Sequence, residues 1–354
     1  ELGSELAIMK GRVDGLEARV NGIEAGSFSD TTTMGGTAGF LIGATDSASD
    51  ANDKVMMEYF YEVDLNTSFT GEDKLNIEIE TGNHPGIGVG ADKVGLDWGS
   101  DNGDTLKVSD VNYTFPLGGW TVAVGDSMDA SKTWPNACAV NNMVDNLGDC
   151  GAANSVDLSG DVSLSASTEF GDGWELGLGI SADSGETSRG IFTNEGDDYY
   201  GIAIGYERDT FGFTAAYSMK ESTTIANSTT GWVQSDNASQ KDTTYYGLVG
   251  YYSPESTPLT LSGGIELSDI EGTNTDKTQW TVGVSTDLGE GTLSATFGTN
   301  GAIADNAEEI YAYDLSYEYP INDSMSVTPF VYVAETTGST VDTTGAGAFV
   351  SFSF

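Results

Sequence analysis

The chain has 354 residues, with 13 Lys+Arg against 55 Asp+Glu and a net charge of -42. Such acidity leaves no basic surface to neutralise phosphates and excludes ordinary nucleic-acid binding. The 16 Tyr, 14 Phe and 6 Trp recur at strand spacing and argue against disorder, and the lack of any apolar run near about twenty residues excludes transmembrane helices while leaving a membrane barrel open.

In chain order, the first element is helical. Leu2, Leu6, Met9, Val13, Leu16, Val20 and Ile23 are spaced alternately four and three residues apart, a heptad seam. Leu6, Val13 and Val20 take the a positions, and Leu2, Met9, Leu16 and Ile23 the d positions. Arg12 and Arg19 then fall at g and Glu17 and Glu24 at the following e, the spacing of ion pairs between parallel helices. Gly11, Gly15 and Gly22 lie on the outer face, each costing about 1 kcal/mol of helix propensity, so the helix needs partners. Residues 1–25 are read as a parallel coiled coil, dimer or trimer, against the alternative of an amphipathic helix lying on its own domain. With no initiator Met or signal peptide, the segment reads as truncated or processed from within a longer helix.

From residue 26 to 354 the pattern switches to period two. Candidate strands span 32–44, 55–69, 74–82, 105–116, 119–127, 159–170, 173–183 and 199–208, then 211–219, 243–252, 258–268, 278–287, 290–298, 309–319, 324–334 and 343–354. Sixteen is an even number within the range of single-chain bacterial barrels. Connections alternate in length. Gly71-Glu72-Asp73, Leu117-Gly118, Gly171-Asp172, Arg208-Asp209-Thr210, the stretch from Ser253 to Thr257, Gly289 and the stretch from Pro320 to Asp323 mark short turns. Longer polar loops, such as 128–158 and 220–242, lie between them. The expectation is an all-β, 16-stranded antiparallel transmembrane barrel with both ends of the chain on the short-turn, periplasmic side.

The strand faces differ sharply. Met57, Tyr59, Tyr61, Val63 and Leu65 alternate with Glu58, Phe60, Glu62, Asp64 and Asn66; Leu75, Ile77 and Ile79 alternate with Asn76, Glu78 and Glu80. In the last strand Ala348, Val350, Phe352 and Phe354 should face lipid or a neighbouring subunit, and Gly347, Ser351 and Ser353 water. Phe349 breaks that alternation. An inner face of Gly, Ser, Thr and carboxylate is too polar for a dry core, so water must fill it. Glu58, Glu62, Asp64, Glu78 and Glu80 should form one acidic patch on the pore wall, and Asp161, Glu169, Glu175, Glu207, Glu266, Asp287, Asp314 and Glu318 share the inward parity. A negative lumen concentrates cations, whereas surplus acid that served only solubility would carry no selectivity.

The loop from Met128 to Asp157 is long enough to enter the pore and holds both cysteines, Cys138 and Cys150, expected as a disulfide. It is read either as a staple for an external loop or as a constriction bearing Asp129, Asp145 and Asp149. Nothing places a partner beside the single histidine, His84, before Pro85, and no Cys/His cluster exists for zinc, so no enzyme activity, metal site or cofactor is expected. Asp101-Asn102-Gly103-Asp104 offers oxygen ligands and reads as an ordinary turn, with loose Ca²⁺ or Mg²⁺ binding the alternative.

The heptad helix running into Gly26-Ser27-Phe28-Ser29-Asp30-Thr31-Thr32-Thr33, the hairpin from Asn66 to Leu75 and the terminal Phe354 resemble cyanobacterial outer-membrane porins, the OprB-like porins that carry an S-layer-homology domain. The resemblance implies a homotrimer in the outer membrane whose coiled coil crosses the periplasm towards a peptidoglycan-holding domain. That domain is not among these residues, so cell-wall attachment is not carried over. The family also implies carbohydrate selectivity and iron uptake, whereas the acidic lining speaks for cations and small neutral solutes. The reading is a passive diffusion channel with cation preference. The alternatives are a largely closed barrel that tethers the outer membrane and, last, a gated active-transport receptor.

Overall fold

The structure, a computed structural model, describes residues 31–46, 54–83, 102–193, 197–221, 242–272, 276–336 and 338–354. Residues 1–25, expected as a coiled coil, His84 and Asp101 lie outside the described residues.

Seventeen antiparallel strands form a single sheet. The first nine are β1 (Thr32–Asp46), β2 (Met56–Thr67), β3 (Lys74–Gly82), β4 (Lys107–Leu117), β5 (Trp120–Asp126), β6 (Val162–Phe170), β7 (Trp174–Asp183), β8 (Asp197–Arg208) and β9 (Phe211–Lys220). There follow β10 (Thr243–Tyr252), β11 (Leu259–Ile270), β12 (Lys277–Leu288), β13 (Gly291–Thr299), β14 (Ile303–Ala304), β15 (Tyr311–Asn322), β16 (Met325–Ala334) and β17 (Thr343–Ser353). β14 has only two residues and pairs beside β12, leaving sixteen long strands, each ending within three residues of its expected bounds. One turn differs. β15 runs through Pro320 to Asn322 with an irregular register there, because a proline at an irregularity costs no ladder hydrogen bond.

β1 pairs with both β2 and β17, from Thr37 opposite Ser353 to Asp46 opposite Thr344, so the sheet closes on itself and keeps no open edge. Phe354 extends the closure by exchanging backbone hydrogen bonds with Gly36. The connections of two or three residues all lie on one rim and the longest, such as 127–161 and 221–242, on the other, with the start of β1 and the end of β17 on the short-turn rim.

Pleating sends Phe40, Ile42, Leu178, Ile202, Leu248 and Val331 outward, where they are exposed. An exposed apolar band encircling the sheet belongs against hydrocarbon rather than water. Aromatic side chains gather at both rims. Trp174 lies 4.9 Å from Tyr206 and 5.8 Å from Phe213 on the short-turn rim, and Phe297 lies 5.2 Å from Trp280 and 5.4 Å from Tyr311 on the other. Such girdles suit an apolar ring with one wet edge.

Phe349 faces inward, opposite Leu41, and stacks on Phe60 with ring centroids 5.9 Å apart. Both rings occupy the space over Gly39, where an added Cβ would lie 2.3 Å from Phe349 and 2.4 Å from Phe60. An inward aromatic is accommodated because the facing strand supplies a residue with no side chain.

Candidate functional site

The segment 127–161, between β5 and β6, folds into the barrel. Its apolar residues have no membrane to enter and bury against the wall instead. Met143, Val144 and Leu147 pack with Leu41, Phe330 and Tyr332; Trp134, Val156 and Leu158 pack with Ala203, Ala216 and Val249. Gly177 opens the wall to Trp134, since a Cβ there would lie 2.6 Å from the indole. Within the segment Asp145–Gly151 forms a kinked 3-10 helix. Cys138 and Cys150 are disulfide-bonded with Cα atoms 5.6 Å apart, stapling the loop across a separation of 12 residues.

Polar contacts fasten the loop to widely separated strands. Thr133 N–H donates to Ser165 on β6 (3.1 Å), Ala137 N–H to Thr214 on β9 (3.1 Å) and Ala139 N–H to Ser262 on β11 (2.9 Å). Asp314 on β15 accepts from the backbone N–H groups of Met143 (2.7 Å) and Val144 (3.0 Å). Glu266 on β11 accepts from Asn154 N–H, Ser155 N–H and the Ser155 hydroxyl at 2.6–3.0 Å. Of the two readings of the loop, an external staple and a segment inside the barrel, the contacts fit the second. They also correct one expectation: Glu266 and Asp314, 2% and 5% exposed, are loop anchors rather than open lining. The loop N–H groups converge on one oxygen of each carboxylate, Glu266 Oε2 and Asp314 Oδ2.

Asp129, Asp145 and Asp149 line one cavity of about 370 Å³, together with Asp157 from the same loop and Gln279 and Lys220 from the wall. Burial first, then the charge of Asp157, pushes the Asp129 carboxyl up to about 6, with Lys132 opposing. Burial likewise raises that of Asp145. Lys220 ends β9 on the inward parity of Thr214 and Ser218. Its ammonium donates to Asn154 Oδ1 (3.1 Å) and Ser159 Oγ (3.2 Å) and lies 5.6 and 5.7 Å from the ring centroids of Tyr199 and Tyr245. The sequence reading did not include this lysine; its inward parity at a strand end was the available signal.

The other acidic region is the hairpin wall. Glu62 stands opposite Glu80 and Asp64 opposite Glu78, all four half-buried on the inner face, while Glu58 is 7% exposed opposite Leu41, beside the loop's apolar contact. β4 adds Asp110 opposite Glu78 and Lys107 opposite Glu80, the lysine paired with Glu80 at 2.8 Å. Lys132 from the loop reaches Asp110 at 3.3 Å. The sequence reading included neither lysine nor Asp110. At the short-turn end, Glu169, Glu175 and Glu207 line a further cavity of about 210 Å³ beside Pro135 and Ala137. Among the described residues no group of three or more His, Cys, Asp or Glu side chains converges to hold a metal ion. Asp129, Asp145 and Asp149 are therefore brought together, as are Glu62, Asp64, Glu78 and Glu80, at separate places on the inner surface.

A closed sixteen-stranded antiparallel barrel with a loop folded inside is a porin-like fold. The sequence pattern of the Gram-negative porin family matches residues 206–354. An uncharacterized protein of Nostoc sp. is 26% identical over 387 residues, covering 94% of this chain. The chain spans 66% of the length of that relative. A mutant of the Rh. blastica porin superposes with a TM-score of 0.56 at 14% identity, covering 91% of this chain and all of the other. A loop-deletion mutant of OmpT, an outer membrane protein of Vibrio cholerae, gives 0.60 at 14% identity, covering 92% of this chain and all of the other. At these identities the likeness is one of fold.

Proposed function

We propose that the chain is an outer-membrane channel for passive diffusion of small hydrophilic solutes and ions, cations in preference to anions. The single observation that carries this reading is the pairing of Glu62 with Glu80 and of Asp64 with Glu78 on the inner face of a closed barrel. Like charges set opposite one another on a sheet destabilise it, so their presence on the wet face speaks for a role other than stability. A negative wall bounded by low-dielectric strands raises the local cation concentration. The loop narrows the path and adds the acids of its own cavity. Work is done by width and charge, without covalent chemistry or cofactor.

Three finer points belong to the same reading. The barrel works as a homotrimer with residues 1–25 as a coiled coil on the periplasmic side. Sugars as well as ions are carried. The barrel itself touches lipid, and peptidoglycan is reached only through a part of the protein outside these residues. Reconstitution in planar bilayers under a salt gradient tests the central claim: a reversal potential of the cation-selective sign is expected, and anion preference overturns it. Neutralising Glu58, Glu62, Glu78 and Glu80 together is expected to reduce the preference. Conductance near zero would instead favour a closed barrel that tethers the membrane, a reading to which the extent of the loop's packing lends weight.

A further inference from the structure

The connection from β7 to β8 does not stand clear of the barrel. On β7 the even-numbered residues face outward, with Leu178 exposed, and the odd-numbered Gly177 and Gly179 face the loop inside. Ala182 and, opposite it on β8, Asp198 share the outward parity, yet they are 0% and 5% exposed. A side chain of that parity is sealed where the chain folds back over the outer surface. Two contacts identify the cover as the segment 184–193. An added Cβ on Gly185 would lie 2.9 Å from Ala182 Cβ and 3.2 Å from Ile191 Cγ1, and Phe192 N–H donates to Asp198 Oδ1 (3.1 Å). Turns hold this strap in shape, with Thr187 N–H donating to the Ser184 carbonyl (3.0 Å) and Gly190 N–H to the Thr187 carbonyl (3.2 Å).

The strap leaves its two largest apolar side chains uncovered. Ile191 and Phe192 are 49% and 59% exposed. Phe192 has a φ of 56°, left-handed backbone that is unfavourable for a bulky side chain. The fold thus spends backbone strain to hold an aromatic ring outside the barrel. The next outward pair along the two strands is Ile180 opposite Tyr200, so the tip continues the apolar band at its long-loop edge.

We infer that Ile191 and Phe192 are a lipid anchor, which enters the interfacial layer of the outer leaflet and fixes the depth of this rim. The inference rests on the outer-membrane reading above. Lipid is the occupant because the pair is continuous with the face assigned to hydrocarbon, whereas two side chains offer too little area for a stable protein contact. Arg189, one of two arginines among the described residues, flanks the pair, and a cation beside apolar side chains suits a layer of lipid phosphates.

The test uses the full chain reconstituted in phosphatidylcholine–phosphatidylglycerol vesicles, with a bimane fluorophore on one introduced cysteine; the native pair is disulfide-bonded and takes no label. With Phe192→Cys, a nitroxide near the lipid headgroup should remove most of the emission and aqueous iodide little of it. Labels at Leu178→Cys and Leu248→Cys, on the apolar band, should lose emission to a nitroxide deep in the acyl chain. A label at Glu72→Cys, on an exposed short turn, should respond to iodide alone. Should Phe192→Cys fail to fold, Ile191→Cys reads the same tip. A tip label quenched by iodide as freely as the Glu72 label, and untouched by lipid nitroxide, overturns the anchor. So does a tip label shielded from both quenchers, as a neighbouring copy covering it would produce. If neither band label meets lipid, the membrane reading itself fails and the anchor with it.

Discussion

Asp129 shows how a single residue couples the loop to pH. Its carboxyl is raised to about 6 in the folded chain, above the ordinary carboxylate value. Between those two values the folded state holds a proton that the unfolded state has lost. Stability therefore rises as pH falls through 6, since a raised carboxyl disfavours the charged form. The same proton removes one negative charge from the loop cavity, so cation preference should fall between pH 7 and 5. Reversal potentials across that range should show the step, and Asp129→Asn should abolish it. Lys220 acts in the opposite sense. Lys220→Gln removes the one wall ammonium lining that cavity and should increase cation preference at pH 7; an unchanged reversal potential would place Lys220 outside the ion path. Phe349 is a residue-scale matter of shape. Gly39→Val would force a side chain into the space of two rings and should cost about 1–3 kcal/mol, read as a lower unfolding temperature.

At the scale of elements, the loop is held by three devices of different kinds. Apolar packing supplies two clusters, Asp314 and Glu266 hold backbone N–H groups, and the disulfide limits the loop's freedom when it is detached. Closing a loop of this length contributes roughly 3 kcal/mol in the chain-entropy model. Replacing both cysteines by serine should leave the sixteen long strands intact, since no strand contains a cysteine, while loosening the loop. Higher open-channel noise and faster proteolysis within 127–161 are the expected readouts, with an unchanged circular dichroism spectrum. Strand β17 has a separate task. It joins β1 and β16, with Ala348 and Val350 opposite the outward Ile42 and Phe40, and with Phe349 inward among Gly347 and Ser351.

For the whole molecule, closure and charge act together. A barrel without edges satisfies its backbone inside hydrocarbon, and this frees the inner face to carry acids that a dry core would reject. If the wall acids produce the selectivity, raising salt from about 0.1 to about 1 M shortens the screening length from roughly 10 to 3 Å. The cation preference should shrink accordingly. A preference that survived at high salt would place its origin in size or close contact instead.

Strand number, strand ends, the alternation of turns and loops and the closing role of residues 343–354 were legible in the sequence, because pleating imposes a period of two whatever the tertiary context. Which inward acids meet water was not. Glu266 and Glu62 share the same parity, yet one is sealed beneath the loop and the other stands on the hairpin wall. Parity assigns a face, and only the path of the loop decides what covers it. The meeting of Asp129 and Lys220 across one cavity and the seat of Phe349 over Gly39 depend likewise on contacts between residues far apart in the chain. Local periodicity carries no record of such pairings; closure of the barrel around its own loop creates them.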